Sequence, residues 1–164
     1  MKYIYIGKIV NTHGIKGEVR IISKFKYKEK VFKKDMIIYI GSNKDKEIIR
    51  TYRPHKNYDM ITMSEYDNIN QILKYKGQNV YIDKSDLNLD SNEYLDSDLT
   101  NIDVIVDDQI VGRVKQIERY EKNNLIIVNN GVKDFLIPFV HDIILNVDLK
   151  KRIITVKNIK GLFD

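Results

Sequence analysis

The sequence predicts an all-β protein made of two small antiparallel β-barrels, with one short helix near the end of the first. Short runs rich in isoleucine, valine and tyrosine recur along the chain, and turn residues separate them, which is typical of antiparallel strands. Alanine, the best helix former, is absent. The length of 164 residues allows two small domains, each with a modest core.

The first unit is predicted over residues 1–84. Its strands are expected at Tyr3–Val10, Glu18–Ser23, Met36–Ile40, Glu47–Arg53, Asp59–Met63 and Asn79–Ile82. The helix is expected at Ile69–Lys76, with Asp67 or Asn68 as its N-cap and Gly77 at its end. Three apolar residues of this helix should form its buried stripe: Ile69, Ile72 and Leu73.

A polar stretch over residues 85–98 is predicted to be a linker, because it has few large apolar residues. The second unit follows over residues 99–164, with strands at Val104–Val106, Ile110–Ile117, Leu125–Val128, Phe135–Val140, Ile143–Leu149 and Arg152–Val156. Asn130 and Gly131 are a strong hairpin signal, since both tolerate positive φ. Pro138 lacks an N–H group and is expected at a sheet edge or bulge.

The two predicted units differ in charge. Residues 1–84 hold 18 basic and 9 acidic side chains, whereas residues 85–164 hold 10 and 14. A basic first unit favours phosphate contacts, and an acidic second unit does not. The chain has no cysteine, which points to a reducing, cytoplasmic setting. No apolar run approaches the roughly 20 residues that span a bilayer, so we expect no membrane partner.

The most informative segment is Gly7–Arg20, in which one strand enters a loop and a second strand leaves it. Gly14 and Gly17 reach positive φ at little cost and should shape a tight corner. Strand alternation then directs Val19 and Ile21 inward and Glu18 and Arg20 outward. The candidate RNA- or ribosome-binding residues are those of this corner and one basic residue of a later strand: Thr12, His13, Gly14, Lys16, Gly17, Arg20 and Arg53.

This corner does not match a nucleotide-binding loop, because Gly17 runs into a strand rather than a helix. His13 has no nucleophile or carboxylate at a useful spacing, so no catalytic residue is predicted. The three histidines lack metal-ligand spacing, and we expect no metal or cofactor. A plainer interpretation remains open, in which both glycines only shape a turn.

Three blocks occur in order along the chain: Gly7–Arg20, then Arg53–Lys56, then a C-terminal block that contains Leu136–Val140, Ile143–Leu149 and Gly161–Asp164. Together they resemble the RimM family of ribosome maturation factors. The resemblance implies a six-stranded barrel similar to those of translation factors, followed by a PRC-barrel. It also implies a non-enzymatic factor that assists assembly of the head of the small (30S) ribosomal subunit and processing of its 16S rRNA.

The implied partners are the small ribosomal subunit, its RNA and its ribosomal protein number nineteen, which the second barrel would hold. We expect the chain itself to be a monomer. RimM proteins commonly carry two adjacent aromatic residues where this chain has Tyr94 and Leu95, and Asp96 stands where a tryptophan is frequent. The predicted protein-docking residues are therefore Tyr94, Leu95 and, from the edge strand, Phe139. Tyr94 has an alternative role as a tether between linker and barrel.

Two other functions stay open at this point. One is an enzyme that acts on RNA or nucleotides at the His13 corner, and the other is a generic adaptor built on a PRC-type barrel. The lysine-rich segment Lys24–Lys34 is either a basic face for RNA or a solvated surface. Its Phe25 and Tyr27 are expected to pack over the barrel rather than stack on bases.

Overall fold

Strands dominate the computed structural model, which describes residues 1–164. The chain divides into two units, residues 1–88 and residues 89–164, and each has its own six-stranded sheet. The predicted all-β class is confirmed. No helix in the structure has both the length and the apolar character that crossing a membrane requires.

The first unit contains six strands and two one-turn helices. The strands are β1 (Tyr3–His13), β2 (Glu18–Ile22), β3 (Ile37–Ile40), β4 (Asp45–His55), β5 (Tyr58–Met63) and β6 (Asn79–Asp83), and the helices are α1 (Lys28–Val31) and α2 (Ile69–Ile72). The strand order is β1-β2-β5-β4-β3-β6, and pairing of β3 with β6 and of β6 with β1 closes the sheet into a barrel. Closure leaves no unpaired edge strand in this unit.

The interior of the barrel is lined by the inward-facing residues of each strand. On β2, Val19 and Ile21 are fully buried while Glu18 and Arg20 are partly exposed, which confirms the predicted alternation. The same alternation places Ile38 and Ile40 of β3 inside. On these two strands the inward-facing residues are therefore aliphatic, and the alternate residues lie on the outer face of the sheet.

The predicted helix after β5 is present, but its buried face is different. Asn68 caps α2, and its side chain accepts from the N–H of Asn70 at 3.0 Å. After Ile72 the chain tightens into a 3₁₀ turn at Leu73–Tyr75, in which residues three apart share a face. Ile72 and Tyr75 are consequently buried, and the prediction of a buried Leu73 is wrong, since this residue is 48% exposed.

The lysine-rich segment between β2 and β3 packs over the barrel through its aromatic residues. Tyr27 and Phe32 are buried, and Phe25 is partly buried. This outcome confirms that the rings pack rather than stand free. The lysines Lys24, Lys26, Lys33 and Lys34 are exposed.

One buried carboxylate holds this segment to the barrel. Asp59 is only 3% exposed, accepts from the Tyr52 hydroxyl at 2.7 Å, and lies 2.8 Å from the Lys28 ammonium. A buried carboxylate is stable only with such partners. Burial and the negative charge of Asp59 raise the pKa of Tyr52 from 10.0 to about 12.

This raised pKa predicts a specific alkaline behaviour. Because the neutral phenol is favoured in the folded state, its contribution to stability is complete below pH 10 and is lost as the pH rises to about 12. Tyr52→Phe should lower the free energy of unfolding by about 1–3 kcal/mol at neutral pH, and the gap to the wild type should narrow above pH 10. Denaturant unfolding at several pH values measures this, and a gap that does not change with pH would contradict it.

The second unit contains six strands. They are β7 (Asp103–Val106), β8 (Gln109–Arg119), β9 (Asn124–Asn129), β10 (Asp134–Pro138), β11 (Ile144–Asp148) and β12 (Ile153–Val156), and a 3₁₀ turn at Asp96–Leu99 precedes them. The strand order is β10-β9-β8-β7-β12-β11, so that β10 and β11 lie at the ends of the sheet. Pro138 thus lies on an end strand, as predicted.

One strand pair of this sheet departs from the predicted antiparallel arrangement. β12 pairs with β7 in parallel, with Ile153 opposite Asp103. Hairpin signals report only neighbouring strands, and the connection from β7 to β12 contains four other strands, so local spacing could not reveal this pair. The core beneath it includes Leu99, Val104, Val114, Ile137 and Ile154.

Candidate functional site

The corner between β1 and β2 has the backbone conformation that its glycines predict. His13 pairs with Glu18 at the mouth of the loop, and Gly14 and Gly17 have φ values of 68° and 91°. Both lie in the left-handed region, where an L side chain is strained. The loop conformation therefore requires glycine at these two positions.

One side of this corner is fixed to the rest of the barrel. Gly17 is buried, and a Cβ there would lie 3.5 Å from the carbonyl oxygens of Tyr66 and Asn68. The N–H of Ile69 donates to the carbonyl of Ile15 at 3.0 Å. The start of α2 thus supports the loop, which leaves Gly14, Ile15 and Lys16 exposed.

His13 is oriented by Arg20. The Arg20 Nη2 donates to His13 Nδ1 at 2.7 Å, and its guanidinium carbon lies 5.5 Å from the centre of the Tyr58 ring. Arginine is a donor only, so Nδ1 must be the acceptor and the neutral ring carries its proton on Nε2. His13 therefore keeps one free N–H donor, and the centre of its ring lies 5.6 Å from that of His55.

Arg53 has a partner that the sequence did not indicate. Its guanidinium donates to both carboxylate oxygens of Glu18, at 2.9 and 2.7 Å. These bonds lower the pKa of Glu18 below its ordinary value, against the opposing effect of burial. Because Glu18 already neutralises much of its charge, Arg53 should contribute less to anion binding than Lys16 does.

Cations surround His55 on the same surface. Burial, followed by the positive charges of Arg53 and Lys56, lowers the pKa of His55. The lowered pKa favours the neutral form of His55 over the charged form, relative to a free imidazole. The surface around the corner thus combines the positive charges of Lys16 and Arg20 with the imidazole rings of His13 and His55.

A groove of about 420 Å³ runs beside the loop and is lined by His13, Gly14, Ile15, Lys16, Glu18 and Thr62. Its donors are the Lys16 ammonium and the His13 imidazole. The Thr62 hydroxyl is paired with the hydroxyl of Thr51. Arg20 occupies Nδ1 of His13, so this nitrogen is not free to act as a base toward a nucleophile. The arrangement is suited to binding an anionic or polar surface.

Of the predicted RNA-binding residues, the structure brings His13, Arg20 and Arg53 near one another and places Gly14 and Lys16 on the adjacent loop. Thr12 lies one residue before this group on β1, opposite Val19. Sequence reasoning missed Glu18, His55 and Tyr58. Alternation directed Glu18 outward, and the Arg53–Lys56 block contains His55, but only the pairing of strands shows that they meet.

The three predicted docking residues of the second unit also lie together. The rings of Tyr94 and Phe139 stack with their centres 6.5 Å apart and their planes 20° apart. Both pack partly against the core. The N–H of Leu95, next to Tyr94, donates to Asp98 at 2.9 Å, which starts the following 3₁₀ turn. Tyr94 and Phe139 thus present one partly exposed aromatic surface.

Asp96, which departs from the family pattern, has a structural role here. It accepts from Arg119 Nε at 2.9 Å and also from the Nη2 of the same guanidinium. The guanidinium carbon of Arg119 lies 4.9 Å from the centre of the Phe139 ring. An ion pair therefore borders the aromatic pair. Neither the spacing nor the residue types indicated that Arg119 belongs to this surface.

Metal-ligating side chains do not cluster in the structure. No group of three or more His, Asp or Glu residues is arranged to hold a metal ion.

Comparison with known proteins covers both units. Residues 4–87 match the RimM N-terminal domain, and residues 96–162 match the RimM PRC barrel domain. The chain is 33% identical to the ribosome maturation factor RimM of Exiguobacterium, across 100% of this chain and 98% of that protein. It is 34% identical to the ribosome maturation factor RimM of Streptococcus pneumoniae serotype 4, across 100% and 99%.

Among solved structures, the N-terminal domain of RimM from Thermus thermophilus is similar to part of this chain. The similarity covers 54% of this chain and 98% of that domain, with 15% identity and a TM-score of 0.47. The two family matches cover the strands of both six-stranded units, and they contain the glycine corner and Phe139 of the aromatic pair. The chain belongs to the RimM family.

Proposed function

We propose that this chain is a non-catalytic maturation factor of the small ribosomal subunit, which acts in the cytoplasm on assembly of the 30S head and on processing of 16S rRNA. The match along the whole chain to proteins named ribosome maturation factors carries this proposal. The two surfaces support it, because each is suited to binding.

The first surface is proposed to contact ribosomal RNA. Its contacting residues are Thr12, His13, Gly14, Lys16, Arg20 and Arg53, and the buried Gly17 shapes the loop that carries them. Lys16 is exposed on a loop whose backbone is shaped by two glycines with positive φ, so little backbone entropy is lost when it meets a phosphate. The Nε2–H of His13 adds a second donor beside it.

The second surface is proposed to hold ribosomal protein number nineteen of the small subunit. Tyr94 and Phe139 supply stacked rings of the kind that dominate protein interfaces, and Leu95 lies beside them. We further propose that residues 1–84 and 99–164 are the two working modules and that residues 85–98 link them. The factor would act as a monomer and bind immature particles more tightly than mature ones, which shifts the population toward the form it holds.

Sedimentation with ribosomal particles tests this function. The purified chain should co-sediment with immature small subunits, bind mature ones less, and capture isolated ribosomal protein nineteen. The wild-type chain should convert no RNA substrate, and His13→Ala should therefore abolish no chemical turnover. The proposal would be contradicted if the chain did not bind immature particles. It would also be contradicted if the wild-type chain converted an RNA substrate and the His13→Ala variant did not.

A further inference from the structure

Four tyrosines form a surface on the first barrel that the proposed function leaves unused. Tyr5 lies directly opposite Tyr81, which in turn lies opposite Tyr39, on the adjacent strands β1, β6 and β3. Tyr3 is two residues before Tyr5 and therefore points to the same side. The residues on either side of Tyr39 and Tyr81 along their strands are buried in the core: Ile38, Ile40, Val80 and Ile82. The rings thus share the outer face of the sheet.

These rings contact one another edge to face and remain accessible. The ring centres of Tyr3 and Tyr39 are 5.1 Å apart, and those of Tyr5 and Tyr81 are 6.0 Å apart. Tyr5 is 53% exposed and Tyr3 is 37% exposed, whereas Tyr39 is buried beneath them. Tyr39 therefore supports the surface, and Tyr3 and Tyr5 offer ring faces to a ligand.

A cation completes this surface. The Lys44 ammonium lies 4.2 Å from the centre of the Tyr81 ring and 5.4 Å from that of Tyr3. Lys44 ends the turn between β3 and β4, with a φ of 54° and its N–H bonded to the carbonyl of Gly41 at 3.1 Å. The turn therefore fixes a positive charge next to the aromatic faces.

We propose that Tyr3, Tyr5, Tyr81 and Lys44 form a platform on which unpaired RNA bases stack. Aromatic rings on neighbouring strands, with a lysine at the border, are the elements with which proteins bind single-stranded nucleic acid. The basic character of the first unit favours RNA over an acidic protein as the occupant. Asp83, opposite Tyr3, repels phosphate on its side, so the RNA backbone should follow the Lys44 side.

This platform goes beyond the proposed function by adding a second RNA contact. Tyr5 and His13 are both on β1, and at about 3.3 Å per residue they lie about 25 Å apart along the strand. A single-stranded segment could therefore reach both sites, whereas binding at the glycine corner alone would not involve the tyrosines. Binding to the platform is measured with free RNA, so a negative result there is distinguishable from a negative result in the particle-binding experiment.

Fluorescence anisotropy with a labelled single-stranded RNA, and with a duplex of equal length, tests the platform. Tyr5→Leu should weaken binding of the single strand by about fivefold or more, and Tyr3→Leu with Tyr5→Leu by about 25-fold or more, with little effect on the duplex. Tyr5→Phe should retain affinity, because the ring is kept. Tyr120→Leu, a change of an equally exposed tyrosine in the second unit, is the matched control and should have no effect.

Several results would overturn the platform. One is that the wild type does not measurably bind the single strand. Another is that the Tyr5→Leu protein binds it with wild-type affinity, and a third is that the Tyr120→Leu protein loses as much affinity as the Tyr5→Leu protein does. Loss of binding to ribosomal protein nineteen by Tyr5→Leu, with RNA binding intact, would assign the surface to a protein instead. Circular dichroism of each variant shows that the barrel is folded, and an unfolded Tyr5→Leu protein is replaced by Tyr5→Gln, for which the same loss is expected.

Discussion

Reversing the charge of the glycine corner, with Lys16→Glu and Arg20→Glu together, should weaken binding to immature small subunits by about 100-fold. Each phosphate contact that a side chain loses costs roughly 1–2 kcal/mol, and the introduced carboxylates add repulsion. Lys16 is exposed on the loop, so its change alone should cost about tenfold without disturbing the barrel. Arg20→Glu also removes the hydrogen bond to His13, which leaves the imidazole without its fixed orientation.

The matched control has the same change of charge at a different place. Lys33 and Lys34 are exposed in the lysine-rich segment, and Lys33→Glu with Lys34→Glu alters the net charge as much as the corner variant does. Sedimentation at several salt concentrations should show a large loss and a shallower salt dependence for the corner variant, with a small loss for the control. Equal losses would mean that the net charge of the first unit, and not this corner, binds the particle.

Whether a feature of this protein can be predicted from its sequence depends on how far apart along the chain the interacting residues lie. Local signals were reliable: Gly14 and Gly17 have positive φ, Asn68 caps α2, and Pro138 lies on an end strand. Each of these features depends on the residue itself and a few neighbours. Local helix periodicity failed at Leu73 because a 3₁₀ turn changed the period from 3.6 to 3 residues.

Features that depend on strand order could not be predicted in this way. The parallel pair of β7 and β12 joins distant parts of the chain, and so does the ion pair of Glu18 with Arg53. The sequence indicated Tyr94 and Phe139 separately, but nothing in their spacing showed that the rings stack. Residue type identifies candidates, and the topology of the sheet decides which of them form one surface.

The stacked pair leads to the second large expected effect. Tyr94→Ala with Phe139→Ala should weaken binding of ribosomal protein nineteen by about 100-fold, since aromatic anchors at an interface are typically worth 2 kcal/mol or more each and their effects are not additive. Because both rings also pack partly on the core, the double variant should lose some stability as well. Tyr94→Phe separates the two effects, as it keeps the stacked ring and should keep most of the affinity.

Leu136→Ala provides the control for this surface, because Leu136 is 56% exposed on the same strand as Pro138 but has no stacked partner ring. Calorimetry or a pull-down with isolated ribosomal protein nineteen should show a large loss for the double variant and almost none for the control. The loss should depend little on salt, in contrast to the loss at the glycine corner, because apolar contacts are not screened. If the folded double variant binds as the wild type does, the partner is held elsewhere and the Arg119–Asp96 pair borders a surface with no docking role.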